Sequence, residues 1–415
     1  MNDKAGGDPT KRLSADSVRA ELSQWIVEHW NPEMPMAEWR ELLADSGWAC
    51  PTWPICGRSL PAELGRVVTD ELKRAVVPGP PEGVGMTLVA PVLLEHGSDE
   101  LKQRFIRPTV TGQITWCQLF SEPAAGSDLA GLQARATLDD DGWLLTGQKV
   151  WSTGAATADF GLLLARTDWD VPKHQGITAF VLPMRQPGVV VRPLRQMNGH
   201  SSFNEVFFDA AWIPGNYVIG EPGGGWQVAH TTLAHERRLA TFPSSAPQIS
   251  GRAWREAIAE RTAAAEPHMW YPQRAGRPDL VIPQAQARGK AADPVVRQEI
   301  ARLTERAWSA RWMADQAAVA GKIGPEGSLG KLASSRIAQQ AARVHTMIAG
   351  AEGLLTGPDS ALGGIIAEIL VSVPGISIAG GTDEIQRNII AERILGLPRE
   401  PDVSAGLPFR EVRAG

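Results

Sequence analysis

The chain has little of several features that mark particular classes of protein. Its 415 residues include only three cysteines, Cys50, Cys56 and Cys117. Their spacing matches no zinc site and no disulfide framework, so we expect reduced thiols, no metal centre and a cytoplasmic location. No stretch reaches the roughly 18 apolar residues of a membrane-spanning helix. The opening MNDKAGGDPTKRL also lacks the apolar core of a signal peptide, which again predicts a cytoplasmic protein.

A strong excess of either charge is missing too. The 41 Lys and Arg residues nearly balance the 46 Asp and Glu residues, for a net charge of −5. Since no basic run occurs, nucleic acid is not expected as a partner. What the chain does have is 43% apolar residues, enough to bury a large core. Its length predicts two or three domains of about 150 residues each.

Helical and strand patterns follow each other in three blocks and predict an α+β fold. Residues 1–112 carry apolar side chains at helical spacing, beginning at Ser14. Residues 113–220 contain short apolar runs, such as FGLLLAR and GITAFVLPM, that turn residues separate. These runs predict a middle β-barrel or β-sandwich domain. After GEPGGGW the helical pattern returns and predicts a C-terminal helical bundle over residues 221–415.

Two stretches of the third block depart from the helical pattern. Residues 265–284, AEPHMWYPQRAGRPDLVIPQ, are rich in proline and aromatic residues and predict an irregular insertion. From Pro398 onward, the sequence predicts a poorly packed tail.

A loop of small residues stands at the entrance to the predicted β domain. The segment WCQLFSEPAAGSDLAG (116–131) offers backbone N–H groups and two hydroxyls. Such a loop can approach a flavin ring or a phosphate closely. By itself, however, it is more typical of an ordinary surface turn.

Two further motifs follow it along the chain. GQKVWSTGA (147–155) is typical of a strand that ends in a turn. ISIAGGTDEIQRNIIAERILG (376–396) places two glycines before an amphipathic helix, so the backbone there can come close to a ligand. Thr382 is a predicted N-cap, and Asp383 and Glu384 then lie favourably in the first helical turn.

In this order, the three motifs resemble those of acyl-CoA dehydrogenases, which carry TEPGAGSD, GxKxWITN and a Gly-Thr helix start. The similarity extends over nearly the whole chain, and the order helical, β, helical is the architecture of that family. The resemblance implies FAD as the cofactor. The cofactor-binding residues that it implies are Phe120, Ser121, Gly126, Ser127, Trp151, Thr153, Arg288, Gln298, Gly350, Thr382 and Glu384.

The resemblance also implies a role for several of these residues. Trp151 would pack against the flavin ring, and Thr153 would bond a flavin nitrogen. Arg288, Gln298 and the segment of Gly350 would reach a cofactor across a subunit interface. Three departures affect these contacts, since Ala124 replaces a frequent glycine, Gly154 replaces an asparagine and Met347 replaces a glutamine.

The catalytic base is the largest departure from the family pattern. In much of the family a glutamate precedes the Gly-Thr pair, but this chain has Gly380. A glycine keeps the backbone N–H that would polarise the thioester oxygen. Isovaleryl- and long-chain-type members place the base on another helix before an arginine, and LAHERRLA (233–240) offers Glu236 and Arg237 there.

We therefore expect Glu236 to be the base and Arg237 to orient it. A lone glutamate on a helix is more often a surface charge that pairs one turn away. The glycine at position 380 and the flavin motifs favour the catalytic interpretation.

The resemblance implies dehydrogenation of an acyl-CoA thioester to the 2-enoyl-CoA, with an electron-transfer flavoprotein as electron acceptor. The long stretch between Glu236 and Arg288 suggests either a pocket for a bulky acyl group, such as a steroid side chain, or a subunit interface. One alternative is a flavin monooxygenase or oxidase of the same fold. Another is a non-catalytic FAD-binding subunit. The assembly would be a homodimer, a homotetramer or a heterotetramer with a paralogous subunit.

Overall fold

Five helices form the first part of the protein. The computed structural model describes residues 14–236, 250–320, 325, 327–401 and 404–412. The first helix, α1, begins where its sequence predicts, because the Ser14 hydroxyl accepts the Ser17 N–H at 3.1 Å. A single π-helical turn, Gly85–Val89, leads directly into α4. The helices are α1 (Ala15–His29), α2 (Met36–Asp45), α3 (Ala62–Arg74), α4 (Ala90–His96) and α5 (Asp99–Thr111).

The middle of the chain forms one mixed sheet of eight strands. Its spatial order is β6-β7-β3-β2-β4-β5-β8, and β1 pairs in parallel with β4. Most neighbours are antiparallel, so the strands alternate with short turns, as the apolar runs predict. The strands are β1 (Trp116–Leu119), β2 (Arg135–Asp139), β3 (Gly142–Thr153), β4 (Phe160–Arg166), β5 (Ile177–Pro183), β6 (Val189–Leu194), β7 (Phe203–Pro214) and β8 (Val218–Ile219).

The helical pattern returns after the sheet. The stretch predicted as an irregular insertion is a series of short helical turns, in which 3-10 turns at Glu266–His268 and Pro278–Leu280 flank α8. The helices are α6 (Gly225–Glu236), α7 (Arg252–Ala265), α8 (Tyr271–Arg274), α9 (Val281–Ala287), α10 (Pro294–Ala320), α11 (Gly327–Ala349), α12 (Ile365–Ser372) and α13 (Asp383–Ile389).

The buried core is not divided evenly along the chain. One continuous cluster of buried side chains runs from α1 through the sheet to α6 and α7. The later helices hold two much smaller clusters, one around Val344 and one around Ile369. The helices α6 and α7 therefore pack with the N-terminal part, although they follow residue 220. The boundaries at residues 112 and 220 stay predictions.

The last described turn is packed against the sheet domain, which differs from the poorly packed tail that the sequence predicts. Phe409 is only 8% exposed. Its ring lies 5.3 Å from the Trp169 ring, and the Arg166 guanidinium carbon lies 3.5 Å from its centroid. The Phe409 N–H donates to the Val171 carbonyl at 2.9 Å. Residues nearly 240 positions away in the chain thus determine where the tail lies.

Candidate active site

A buried ion pair fixes the loop that follows β1. The Lys149 ammonium, which has no exposed surface, donates to the Phe120 carbonyl at 2.9 Å and to Glu122 Oε1 at 2.8 Å. The Glu122 carboxylate also accepts the backbone N–H groups of Gln133 and Ala134 at 2.6 and 2.9 Å. Burial lowers the pKa of Lys149, and the nearby Glu122 carboxylate opposes that effect. The loop is therefore held at its base by charges that water does not screen.

The same loop runs beside the end of β3. The Val150 N–H donates to the Ser121 carbonyl at 2.9 Å, so residues of the first two motifs lie next to each other. Glu122 and Ala125 exchange two backbone hydrogen bonds of 3.1 Å, which close a tight turn. The following Gly126 and Ser127 are exposed, and a Cβ at Gly126 would meet nothing within 4 Å. A ligand can therefore approach the loop backbone at this point.

Trp151 is exposed in an unusual backbone conformation. Its φ is +65°, and 55% of its surface is accessible. It lies in a β-bulge, because the register between β3 and β7 shifts between Lys149 and Ser152. A left-handed conformation at a bulky residue is rare and is typical of functional sites. Its ring packs edge-on against Phe203 at 5.6 Å.

Two hydroxyls follow Trp151 on the same strand. Ser152 is buried, and its hydroxyl has no hydrogen-bond partner within the part of the chain that the structure describes. An unpaired buried hydroxyl is costly, so this group is available to a ligand atom. Thr153 is half-buried and lies opposite Phe203 in the pairing of β3 with β7.

The GGT turn has the geometry that its sequence predicts. Gly380 and Gly381 have φ values of +66° and +83°, which glycine adopts without strain. The Thr382 hydroxyl accepts the Ile385 N–H at 3.2 Å and caps α13. Gly380 is exposed, and its carbonyl accepts from Gln386 Nε2 at 3.0 Å. Its N–H donates to no acceptor among the described residues.

The two acids that follow Thr382 already have partners. Asp383 is buried and accepts from Lys331 Nζ at 3.2 Å and from the Ser335 hydroxyl at 2.8 Å. Glu384 is exposed and pairs with Arg387 at 3.0 Å. Asp383 therefore links α13 to α11, and Glu384 forms a surface ion pair within α13.

Glu236 is the last described residue of α6, and Arg237 lies outside the described residues. The helix begins tightly against the sheet, since a Cβ at Gly225 would come within 2.7 Å of the backbone of Thr178. Glu236 is half-buried. Burial raises the pKa of the Tyr271 phenol, the Arg274 charge opposes this rise, and the Glu236 charge adds to it. The charge of Glu236 thus acts on a residue of α8, in the stretch predicted as an insertion.

A row of rings joins α8 to the second motif. The Phe203 ring, which contacts Trp151, lies 6.4 Å from Trp270, and Trp270 lies 5.0 Å from Tyr271. No sequence motif predicts a role for these residues or for the Lys149–Glu122 pair. Lys149 and Glu122 stand inside the quoted motifs, so an opposite charge in each motif is the signal that could have revealed their pairing.

The remaining predicted cofactor residues lie in the C-terminal helices. Arg288 directly follows α9 and forms an ion pair with Glu352, in the 3-10 turn that starts at Gly350. Gly350 has a φ of +61°. Gln298 is exposed on α10. The structure thus brings Arg288 and the Gly350 turn together.

Family comparisons cover most of the chain. Residues 8–113 match the acyl-CoA dehydrogenase N-terminal domain, residues 117–211 the middle domain and residues 281–395 the C-terminal domain. The acyl-CoA dehydrogenase IpdE1 of Mycobacterium tuberculosis is 34% identical over 370 residues, which are 87% of this chain and 88% of that protein. The chain belongs to the acyl-CoA dehydrogenase family. The family, the α+β fold class and the assignment to flavoprotein oxidoreductases acting on acyl-CoA are thereby confirmed.

One relative is much longer than this chain. The acyl-CoA dehydrogenase FadE34 of Mycobacterium tuberculosis is 36% identical over 395 residues, which are 94% of this chain but 50% of FadE34. The chain therefore spans about half the length of that relative.

Solved structures share the fold. A structure described as the Tcur3481-Tcur3483 steroid ACAD has a TM-score of 0.64 and 26% identity, over 95% of this chain and 100% of that one. The ChsE4-ChsE5 complex from Mycobacterium tuberculosis has a TM-score of 0.63 at 24% identity, over 96% and 100% of the two chains. Across the described residues, no helix combines the length and the apolar character needed to cross a bilayer.

Proposed function

We propose that this protein is an FAD-dependent acyl-CoA dehydrogenase in which Glu236 removes the α-proton of the thioester. The observation that carries the proposal is the position of Glu236. Its charge adds to the rise in the pKa of the Tyr271 phenol that burial causes, and a continuous row of rings leads from Tyr271 to the exposed Trp151 of the flavin motif. A base for this reaction must stand near both the flavin and the substrate.

The residues around Trp151 fit a flavin. Trp151 offers an exposed aromatic face, the buried Ser152 hydroxyl lacks a partner among the described residues, and the backbone at Gly126 is open. Together these groups supply a stacking surface, a hydrogen-bonding group and room for close approach. When bound, FAD would accept the hydride that leaves the β carbon of the substrate. Phe120, Ser121, Ser127, Thr153 and Thr382 would complete its site.

The α-proton of a thioester is too weakly acidic for a carboxylate to remove unaided. The developing negative charge on the thioester oxygen must be stabilised by a fixed donor. Gly380 is an exposed residue, and its N–H donates to no acceptor among the described residues. We assign it this role, with Glu236 taking the proton and Arg237 orienting the carboxylate.

The acids next to Gly380 are weaker candidates for the base. Asp383 is buried between Lys331 and Ser335, so its carboxylate faces the helices. Glu384 pairs with Arg387 on the exposed side of α13. Glu368, beside Trp270, already accepts from His200 at 3.0 Å. We therefore assign the base to Glu236.

The test is Glu236→Gln, with anaerobic addition of acyl-CoAs and measurement of flavin bleaching. Loss of a general base predicts that flavin reduction slows by about 10³-fold, while FAD content stays that of the wild type. Glu63→Gln, at an exposed position of α3, is the matched control and should reduce its flavin at the wild-type rate. Reduction of the Glu236→Gln flavin at the wild-type rate would show that another group is the base.

We further propose a bulky, ring-containing acyl group as the substrate and an electron-transfer flavoprotein as electron acceptor. The aromatic row along α8 supports a flat apolar group, and one solved relative at 26% identity is described as a steroid ACAD. A series of CoA thioesters from short linear to steroid side chains tests this. The largest rate of flavin reduction is expected for a ring-containing thioester, and a preference for short linear chains would contradict the proposal.

We propose assembly with a paralogous subunit, in the cytoplasm. Two observations support a second chain. The described C-terminal helices have small buried clusters, and several of their large apolar side chains are exposed, among them Trp308, Trp312, Met313, Met347, Leu354 and Leu355. The mass of the complex after co-expression with a paralogous chain tests this. A stable, active homo-oligomer that ignores the second chain would argue against it.

A further inference from the structure

The chain that returns from the exposed turn at Gly126 to β2 is held by two charged side chains. This return segment comprises residues 128–134 and includes a 3-10 turn, Leu129–Gly131. At its end, the Glu122 carboxylate accepts two backbone N–H groups. Arg166, the last residue of β4, binds carbonyl groups of the same segment. The two opposite charges therefore bind the donors and the acceptors of one short stretch of backbone.

Arg166 has no exposed surface and uses all three nitrogens of its guanidinium group. Nη2 donates to the Ala130 carbonyl at 2.6 Å, and Nε donates to the Leu132 carbonyl at 3.1 Å. Nη1 donates to the Lys173 carbonyl at 3.1 Å. The Arg166 backbone N–H also donates to the Ala134 carbonyl at 2.7 Å. Because a guanidinium presents its donors in fixed directions, this side chain determines where the return segment lies.

The buried guanidinium keeps its charge at neutral pH. Burial lowers the pKa of Arg166 to about 10, and the negative charges of Glu122, Asp128 and Asp168 oppose that effect. A buried cation with satisfied donors is costly to disturb, because loss of one partner leaves other buried polar groups unpaired.

The last described turn of the chain covers this guanidinium. The Phe409 ring centroid lies 3.5 Å from the guanidinium carbon of Arg166. Two backbone hydrogen bonds attach the turn to the β4–β5 connection, residues 167–176. The Phe409 N–H donates to the Val171 carbonyl at 2.9 Å, and the Arg410 N–H donates to the Trp169 carbonyl at 3.1 Å. The ring thus attracts the cation and keeps water from its hydrogen bonds.

The β4–β5 connection also contacts the start of the return segment. Lys173 Nζ lies 3.1 Å from both carboxylate oxygens of Asp128. Asp128 is exposed, so this ion pair adds little stability by itself. It shows, however, that the connection contacts the return segment at Asp128 as well as through Arg166. Gly126 and Ser127, which belong to the proposed flavin site, directly precede Asp128.

We infer that Arg166 is a positioning residue for the cofactor, and that the C-terminal turn, residues 404–412, is a strap that keeps Arg166 in place. Arg166 fixes the return segment, so that the turn at Gly126 presents its backbone to FAD. Phe409 shields the guanidinium. The inference rests on the proposed flavin site at this loop. It gives a segment far from the three motifs a function in cofactor retention.

Binding of FAD to the apoprotein, followed by flavin fluorescence well below the unfolding temperature, tests the positioning role. Arg166→Lys keeps the charge but loses the three directed donors, so its dissociation constant for FAD should rise about tenfold. Phe409→Leu loses the aromatic face and should raise the constant about threefold.

Arg40→Lys is the matched control. Arg40 is also buried, but it pairs with Glu260 where α2 meets α7, away from the loop. Its dissociation constant for FAD should equal that of the wild type. A purely structural role would lower the melting temperature of Arg166→Lys and leave its FAD binding unchanged, and that result would overturn the inference.

Hydrogen exchange of the apoprotein tests the same contacts without FAD. In Arg166→Lys and in a chain that lacks residues 404–415, the amides of the return segment should exchange at least about tenfold faster. Amides of α1 should keep the wild-type rate. Unchanged exchange in the shortened chain would overturn the strap.

The two measurements also separate this inference from the proposed function. A wild-type protein that binds no FAD would contradict the flavin site and the cofactor role together. Wild-type FAD binding with unchanged constants in Arg166→Lys and Phe409→Leu would overturn the inference alone.

Discussion

The two sides of the candidate site are built differently. The side formed by the sheet domain belongs to the continuous core, and the loop that follows β1 is fixed by the buried pair of Lys149 and Glu122. The side formed by the C-terminal helices has small buried clusters, and two of its large apolar side chains are each 65% exposed, Ile378 just before the GGT turn and Leu395 after Ile394. The first side is thus formed by the chain's own contacts, whereas the second offers apolar surface to other molecules.

The largest expected effect on stability comes from removing the buried ion pair on the sheet side of the site. Lys149→Met leaves the Glu122 carboxylate buried without its cation. An unpaired buried charge is strongly destabilising, so the free energy of unfolding should fall by about 3 kcal/mol, with loss of bound FAD. Chemical denaturation measures the change. The double variant Lys149→Met with Glu122→Gln should recover at least half of the loss, and equal stability of the single and double variants would argue against a buried charge as the cause.

Substitutions at Phe409 test whether the last described turn is part of the sheet domain's packing. Phe409→Ala removes the ring that lies on Arg166 and Trp169 and should cost about 2 kcal/mol, somewhat below the loss for a fully enclosed phenylalanine. Phe409→Leu keeps apolar contact but loses the face that the cation touches, so a smaller loss is expected. Thermal unfolding measures both, and an unchanged melting temperature in Phe409→Ala would mean that the tail does not pack there in solution.

The two sides of the site each contain a helix whose first turn is capped by a hydroxyl, so the same substitution can be made on both. Ser14 and Thr382 each accept a backbone N–H, at 3.1 and 3.2 Å. Substitution of either by alanine should cost about 1 kcal/mol locally. Only Thr382→Ala should also weaken FAD retention during gel filtration, because it loosens the turn that carries Gly380. Equal FAD retention in the two variants would show that the Thr382 cap does not contribute to cofactor binding.

The smallest effect is a pH dependence in the C-terminal helices. Burial lowers the pKa of His345 below its ordinary 6.5, and its Nε2–H donates to the Arg277 carbonyl at 3.0 Å. Because the unfolded chain then binds more protons, stability is full above pH 6.5 and declines as the pH falls toward the lowered pKa. The slope is at most about 1.4 kcal/mol per pH unit. Melting temperatures across this range should fall less steeply in His345→Gln.

Local signals explain which parts of the fold were predictable. Ser14 and Thr382 cap helices because a hydroxyl next to a helical pattern needs only neighbours three residues away. The short apolar runs form strands, as predicted, because their pattern is likewise confined to a few neighbouring residues. The position of Phe409 was not predictable, since its burial depends on Arg166 and Trp169, which are distant in sequence.

The candidate site follows the same division. The three motifs, the Thr382 cap and the family can be predicted from short segments of the chain, because turn chemistry and motif order are local properties. The folded chain adds that Lys149 meets Glu122 and that Phe203 and Trp270 join Trp151 to Tyr271. Such contacts depend on the path of the whole chain, and no local propensity encodes which distant side chains will meet.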